Sequence, residues 1–172
     1  VTKLQVQVNQ GLNSNHKDFQ SEVFFIAMNI KSPNSQEEWA NYFQLRWQVL
    51  RAPWQKPIGS EKDDLEFNDT TFHAMAIGEN NEIIGVARLH LLPKNTAQVR
   101  YMAVSDISQG MGVGSQLLNY LEHIAKTKQT SKLFLQSRES AVNFYKKHNY
   151  ILIQKTFLMY DQIQHYLMEK EI

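Results

Sequence analysis

Gln98-Val-Arg-Tyr-Met-Ala-Val104, followed through residues 105–108 by Gln109-Gly-Met-Gly-Val-Gly114, is the stretch on which the fold turns. The first half reads as a strand, Ala97 to Val104. The second half carries three of the chain's seven glycines within residues 110–114, at the mouth of a helix expected from about Gly110 to Lys126. Val113, Leu117, Leu118, Leu121 and Ile124 would line one face of that helix. Glycines there let backbone amides approach a ligand without a Cβ in the way. Those amides are also the unsatisfied donors at the positive end of the helix dipole, a ready anion site for which pyrophosphate is the natural guest. The competing reading is that the glycines only permit tight helix–strand packing. A Walker loop needs Gly-Lys-Ser/Thr, whereas Gly114 is followed by Ser115 and Gln116. A dinucleotide fingerprint should open an N-terminal βαβ unit, and this loop sits late, behind antiparallel strands.

Outward from the loop, Thr71 to Ile77 and Glu82 to Leu92 read as strands joined by a hairpin turn at Glu79-Asn80-Asn81. Upstream, Ser35-Gln-Glu-Glu38 is a capping box opening a helix with an apolar stripe of Trp39, Tyr42, Phe43, Trp47 and Leu50. Arg46 falls on the same stripe, so it should snorkel at the edge or face a cleft. Residues 51–68 form the longest break. Val23 to Ile30 suits a buried strand, and residues 1–20 read as an appendage with a possible extra strand, followed by one domain over 21–172. Downstream, Lys132 to Gln136 is a short strand, Glu139 to His148 a helix capped by Ser137, and Tyr150 to Tyr160 and Tyr166 to Glu169 closing strands. The order indicates an α+β (mixed α/β) sandwich.

A chain of 172 residues with 42% hydrophobic and 20% charged residues is globular and long enough to bury one core. A formal charge of +1 with scattered Lys and Arg argues against nucleic acid as partner. With no cysteine, disulfide scaffolds, thiol nucleophiles and thiolate metal sites are excluded, and no metal is expected. No apolar run approaches the roughly 20 residues of a membrane span, and the N-terminal segment lacks a signal core, so a cytoplasmic protein without a membrane partner is expected.

Gln109-x-x-Gly112-x-Gly114, after a strand ending Met-Ala-Val104, resembles the acetyl-CoA loop of the GNAT acetyltransferases. Ala141-Val-Asn-Phe-Tyr-Lys-Lys-His-Asn-Tyr150 is similar to that family's Ala-x-x-Phe-Tyr-x-x-x-Gly-Phe segment, at the usual spacing. Tyr42-Phe-Gln-Leu-Arg46-Trp47 through Pro57-Ile-Gly-Ser-Glu61 is similar to the acetyltransferase half of bacterial proteins fused to a hotdog thioesterase. The resemblance covers roughly residues 24–169, and no thioesterase half is expected in this chain.

The resemblance implies a mostly antiparallel twisted sheet flanked by helices, whose fourth and fifth strands splay around the pantetheine arm of acetyl-CoA. Met102, Ala103 and Val104 would offer backbone groups to that arm, and an amide near Ala103 would polarise the thioester. Gln109, Gly110, Met111, Gly112, Val113 and Gly114 would hold the pyrophosphate. Tyr145 matches the tyrosine that protonates the departing thiolate. Gln98 stands where some members have a glutamate base, leaving Glu61, His73 and His90 as candidates. Asn149 replaces a glycine but tolerates the left-handed conformation. Arg138, where many members have asparagine, would contact the cofactor's phosphate. Arg46, Arg51, Trp54, Ser60 and Glu61 would line a pocket for a charged acceptor, a small-molecule or peptide amine. The alternatives are a non-catalytic acyl-CoA-binding module, or a factor working with acyl carrier protein. Lys126, Lys128, Lys132, Arg138, Lys146 and Lys147 would form a basic rim, read here as steering the phosphates of CoA. The oligomeric state is not legible.

Overall fold

The computed structural model describes residues 28–172. The readings of residues 1–20 and of the strand before Met28 lie outside the described residues. The strand's remainder is β1 (Asn29–Lys31), followed by α1 (Gln36–Leu50). Then come β2 (Thr71–Ile77), β3 (Ile83–Leu92), β4 (Thr96–Val104) and α2 (Val113–Thr127). β5 (Lys132–Arg138), α3 (Val142–Lys147), β6 (Ile151–Met159) and β7 (Ile163–Glu171) complete the order. The seven described strands form one sheet in the order β1-β2-β3-β4-β5-β7-β6. Every pairing is antiparallel except β4 with β5. This is the α+β class expected, a mostly antiparallel sheet with helices on both faces.

The faces are separated by side-chain alternation. On one face, Leu117, Leu118, Leu121 and Ala125 of α2 and Val142 and Tyr145 of α3 pack with Ala74, Ala87, Leu89, Val99, Leu133 and Leu135. On the other, Tyr42, Phe43, Leu45 and Leu50 of α1 pack with Met75, Val86 and Ala103. Each buried leucine contributes roughly 1.5–3 kcal/mol.

Local chemistry explains where boundaries differ from the sequence reading. The second helix starts at Val113 rather than Gly110, because Gly110 (φ 79°) and Gly112 (φ 83°) are left-handed and cannot extend a helix. At α1 only half of the capping box forms. The Glu38 amide donates to Ser35 Oγ at 3.1 Å, but the Glu38 carboxylate accepts from the Asn34 amide rather than from Ser35. Ser137 is not a cap, since its hydroxyl donates to the Arg138 carbonyl and the segment opens with a 3-10 turn, Glu139–Ala141. β7 begins at Ile163 because Tyr160 and Asp161, both left-handed, make a tight hairpin turn. Asn149 is left-handed, at φ 66°.

α2 can close on the sheet only where β3 offers no side chain. A Cβ on Gly85 would stand 2.7 Å from Val113 Cγ1 and 2.9 Å from Leu117 Cδ1. Gly85→Val is expected to lower unfolding free energy by about 1–3 kcal/mol in urea titrations. A change within a few tenths of a kcal/mol would show that α2 does not seat there.

Candidate active site

The parallel pairing of β4 with β5 runs only from Thr96↔Lys132 to Val99↔Leu135. Beyond it β5 continues against β7 as far as Arg138, and β4 continues against β3 as far as Val104. Between those two ends the sheet is open. The departure coincides with a bulge in β4, where Tyr101 holds a left-handed φ of 53° and the register against β3 shifts between Val86 and Arg88. Met102, Ala103 and Val104 therefore line one edge of the opening with backbone not engaged by β5.

At the end of this edge lies the glycine loop. A Cβ at Gly110 or Gly112 would meet nothing within 4 Å, so both positions face open space. Among the described residues the amides of Gly110, Gly112, Val113, Gly114 and Ser115 have no protein acceptor, and Gln116 is the first to bond back, to Gly112 O. Four of these five belong to the N-cap and first turn of α2, where the dipole favours an anion. Gly114 differs, because a Cβ there would come within 3.3 Å of Phe144. Its missing side chain serves packing of α2 on α3, while Gly110 and Gly112 leave the cradle open. The loop thus fits the diphosphate of a CoA ester. Gln109 is exposed and its amide caps Asp106 Oδ1 at 3.1 Å and Val104 O at 3.4 Å, fastening the loop to β4.

Tyr145 projects from α3 so that its hydroxyl donates to Met102 Sδ at 3.7 Å, beside the bulge. Burial raises its pKa well above that of an ordinary tyrosine, against the opposing charge of Arg138. The hydroxyl is therefore held protonated at neutral pH.

On the opposite face the residues expected in an acceptor pocket form something tighter. Arg46 neither snorkels nor faces a cleft. It is fully buried, donating through Nη2 to Glu66 Oε1 and stacking 4.1 Å over the Tyr101 ring. Arg88, also fully buried, donates to the same Glu66 oxygen at 2.7 Å and forks onto Asp63 at 2.7 and 2.9 Å. Tyr101 donates to Asp63 at 3.1 Å. Burial disfavours the Asp63 carboxylate, yet the Arg88 bonds, the Leu65 amide and the charges of Arg88 and Arg100 outweigh it and hold its pKa well below the usual range. Glu66, Asp63 and Arg88 escaped the sequence reading. The signal for them was the arginine inside the apolar strand Val86-Ala-Arg-Leu-His-Leu-Leu92.

The candidate bases separate by their partners. His73 Nε2 lies 2.7 Å from the Glu66 carbonyl and must carry the proton there, while Nδ1 lies 3.1 Å from the oxygen of the Tyr42 hydroxyl, which itself donates to Ala87 O at 2.9 Å. Both ring nitrogens are thus enclosed by protein atoms, and burial lowers its pKa. Glu61 is 1% exposed, and its carboxylate accepts from the Gly59 amide at 2.7 Å. At His90 the Thr71 hydroxyl already donates to Leu65 O, so His90 Nδ1 donates to Thr71 Oγ1 at 3.0 Å and Nε2 keeps its lone pair. Burial lowers the pKa of His90 as well, with Arg88 and Arg100 adding to the effect.

Arg51 donates to Ser60 O at 2.9 Å and to Leu50 O at 3.1 Å, tying the loop to the end of α1. Ser60 turns its own hydroxyl to Pro57 O, and Trp54 packs near Tyr160, 6.4 Å between centroids. Arg138 is brought to Leu50 O at 3.3 Å, against α1 and not against the glycine loop. The basic rim does not form one patch. Lys126 and Lys128 sit at the far end of α2, roughly 20 Å from its N-terminus at 1.5 Å per residue. Lys132 is paired with Glu169 and Glu171.

Glu66→Gln would leave Arg46 and Arg88 buried with one carboxylate fewer, and should cost about 3–5 kcal/mol of stability by denaturant unfolding. A loss under about 1 kcal/mol would show that the cluster does not anchor this face.

Comparison with known proteins agrees with this fold. The fold matches Escherichia coli ElaA (TM-score 0.72, 18% identity, covering 85% of this chain and 99% of that one). It matches equally an acyl-CoA N-acyltransferase from Pseudomonas aeruginosa (TM-score 0.71, 20% identity, 84% and 99%). An aminoglycoside 6'-N-acetyltransferase complexed with coenzyme A gives a TM-score of 0.71 at 14% identity over 83% of this chain and 96% of that one. The model of the acetyltransferase (GNAT) family matches residues 39–150, most of the sequence, and the chain belongs to that family.

Proposed function

We propose that this protein transfers the acetyl group of acetyl-CoA to an amine by direct attack within a ternary complex. One observation carries the reading. The opening between β4 and β5 has free amides and left-handed glycines at one end and a buried, protonated tyrosine at its side. The loop at 110–115 would take the diphosphate, and the edge at Met102–Val104 the pantetheine. The acetyl thioester would then lie beside the bulge.

The acceptor nitrogen attacks the thioester carbon from the α1 face. A C–N bond forms, charge gathers on the carbonyl oxygen, and a backbone amide near Ala103 stabilises it. As the C–S bond breaks, the Tyr145 hydroxyl donates to the departing thiolate. Holding both reactants in one cleft supplies much of the acceleration. An alkylamine must first lose a proton, at roughly 4.6 kcal/mol for a pKa of about 10.4 at pH 7. Of the candidate bases, His90 alone keeps a free ring nitrogen, and this role falls to it or to solvent.

Acetyl-CoA should raise the melting temperature of the wild type, increasingly as its concentration exceeds Kd, and not that of Gly112→Glu, which sets a carboxylate in the cradle. Equal stabilisation of both would remove the loop from the site. Tyr145→Phe keeps the ring's packing and should lower turnover with a panel of amines by about 100-fold while acetyl-CoA affinity holds. Undiminished turnover would refute the acid role, and a wild type that binds acetyl-CoA yet acetylates no amine would favour a binding module.

A further inference from the structure

On the α1 face two arginines lack a carboxylate partner among the described residues. Five arginines, Arg46, Arg51, Arg88, Arg100 and Arg138, share this face with the carboxylates of Glu61, Asp63 and Glu66. Glu66 pairs with Arg46 and Arg88, and Asp63 with Arg88 and Arg100. Glu61 is occupied by the Gly59 amide. Arg51 and Arg138 are left with no carboxylate.

These two guanidinium groups converge. Both donate to the same carbonyl oxygen, Leu50 O, from Arg51 Nη1 at 3.1 Å and Arg138 Nη2 at 3.3 Å. They approach from different elements, the end of α1 and the end of β5 where it leaves β4. Arg51 is only 8% exposed, and Arg138 loses basicity through burial first and through the charge of Arg51 second. Two like charges brought together out of water are unfavourable unless an anion lies between them. The negative end of the α1 dipole offsets roughly half a charge, too little for two cations. Arg51 Nη2 and Arg138 Nε and Nη1 bond to nothing among the described residues. Beside them, Tyr160 interacts with Arg138 and packs near Trp54, whose indole N–H is buried without an acceptor among the described residues. Lys56 adds a further cation, 4.4 Å over the Tyr160 ring. The pair also borders the opening, since Arg138 ends β5 three residues past Leu135, its last rung with β4.

We infer that Arg51 and Arg138 form a clamp for an oxyanion carried by the acceptor. The substrate is then an amine bearing a carboxylate or phosphate on the same small skeleton, and not a polyamine. This rests on the acetyl-transfer reading and specifies its substrate class. Planar guanidinium forks suit such groups, and charge-assisted bonds orient the amine toward the thioester without being consumed.

The test compares initial rates of CoA-thiol release for an α-amino acid, its carboxamide, the aminoalkyl phosphonate of matching length and a diamine. The wild type should favour the carboxylate or phosphonate over the carboxamide by roughly 10- to 100-fold in kcat/KM, the range of bonds to charged groups. The larger of the two anionic rates identifies the source. Arg138→Gln should collapse the ratio to about threefold or less, and Arg138→Lys, retaining charge without the fork, should keep part of it. A wild type that prefers the diamine or carboxamide, or an Arg138→Gln enzyme that keeps the full ratio, would overturn the clamp. Should Arg138→Gln fail to fold by circular dichroism, Arg138→Lys and the wild-type ratio decide. A thermal shift with acetyl-CoA runs alongside. Its absence in the wild type defeats the acetyl-transfer reading itself, whereas a shift without charge preference defeats only the clamp.

Discussion

Four rungs of parallel pairing between β4 and β5, and no more, determine what the rest of the molecule can do. A strand held on both sides has no backbone to offer a ligand. β4 is held on both sides as far as Val99 and on one side thereafter, because Tyr101 turns it with a left-handed residue that is not glycine. Such a conformation costs about 1–3 kcal/mol and persists only where its surroundings over-determine it. Here they do. The Tyr101 ring has guanidinium groups of Arg46, Arg88 and Arg100 within 4.9 Å of its centroid, and its hydroxyl is fixed by Asp63. The opening in the sheet therefore depends on a charge cluster on the α1 face.

That cluster also couples the opening to the 51–68 loop. Asp63 and Glu66 come from the loop, Arg46 from α1, and Arg88 and Arg100 from the strands. Buried ion pairs are poor sources of net stability, since desolvation cancels most of their attraction. Their effect is geometric, because Arg46 and Arg88, both fully buried, are satisfied only where the loop brings Asp63 and Glu66 to them. The α1 face is in this way held by buried contacts, as α2 is seated on the other face by Gly85 and Gly114.

What was legible in the sequence follows from what is local. The glycine loop, the amphipathic α2 and the Phe144-Tyr145 segment announce themselves within a dozen residues each, and together they pointed to the sheet and its opening. Helix limits slipped by up to three residues where backbone geometry, not side-chain pattern, ends an element, as at Gly112 and in the 3-10 turn before α3. The α1 face was read least well. Arg46 and His73 look like pocket residues in sequence and are buried members of networks whose partners, Glu66 and Tyr42, lie 20 and 31 positions away. The glycines of one motif proved to do two things, an open cradle at 110 and 112 and close packing at 114, which composition cannot separate.

In the proposed reading, the opening beside Met102–Val104 and the start of α2 form one continuous site for an acyl-CoA ester. Backbone amide shifts measured by heteronuclear NMR during titration with acetyl-CoA test it residue by residue. The amides of Met102–Val104 and Gly110–Ser115 should move together and saturate at one ligand concentration, with those of α1 outside its last turn little affected. Perturbations confined to the 62–68 loop, or no perturbation at the glycine loop at saturating acetyl-CoA, would contradict it.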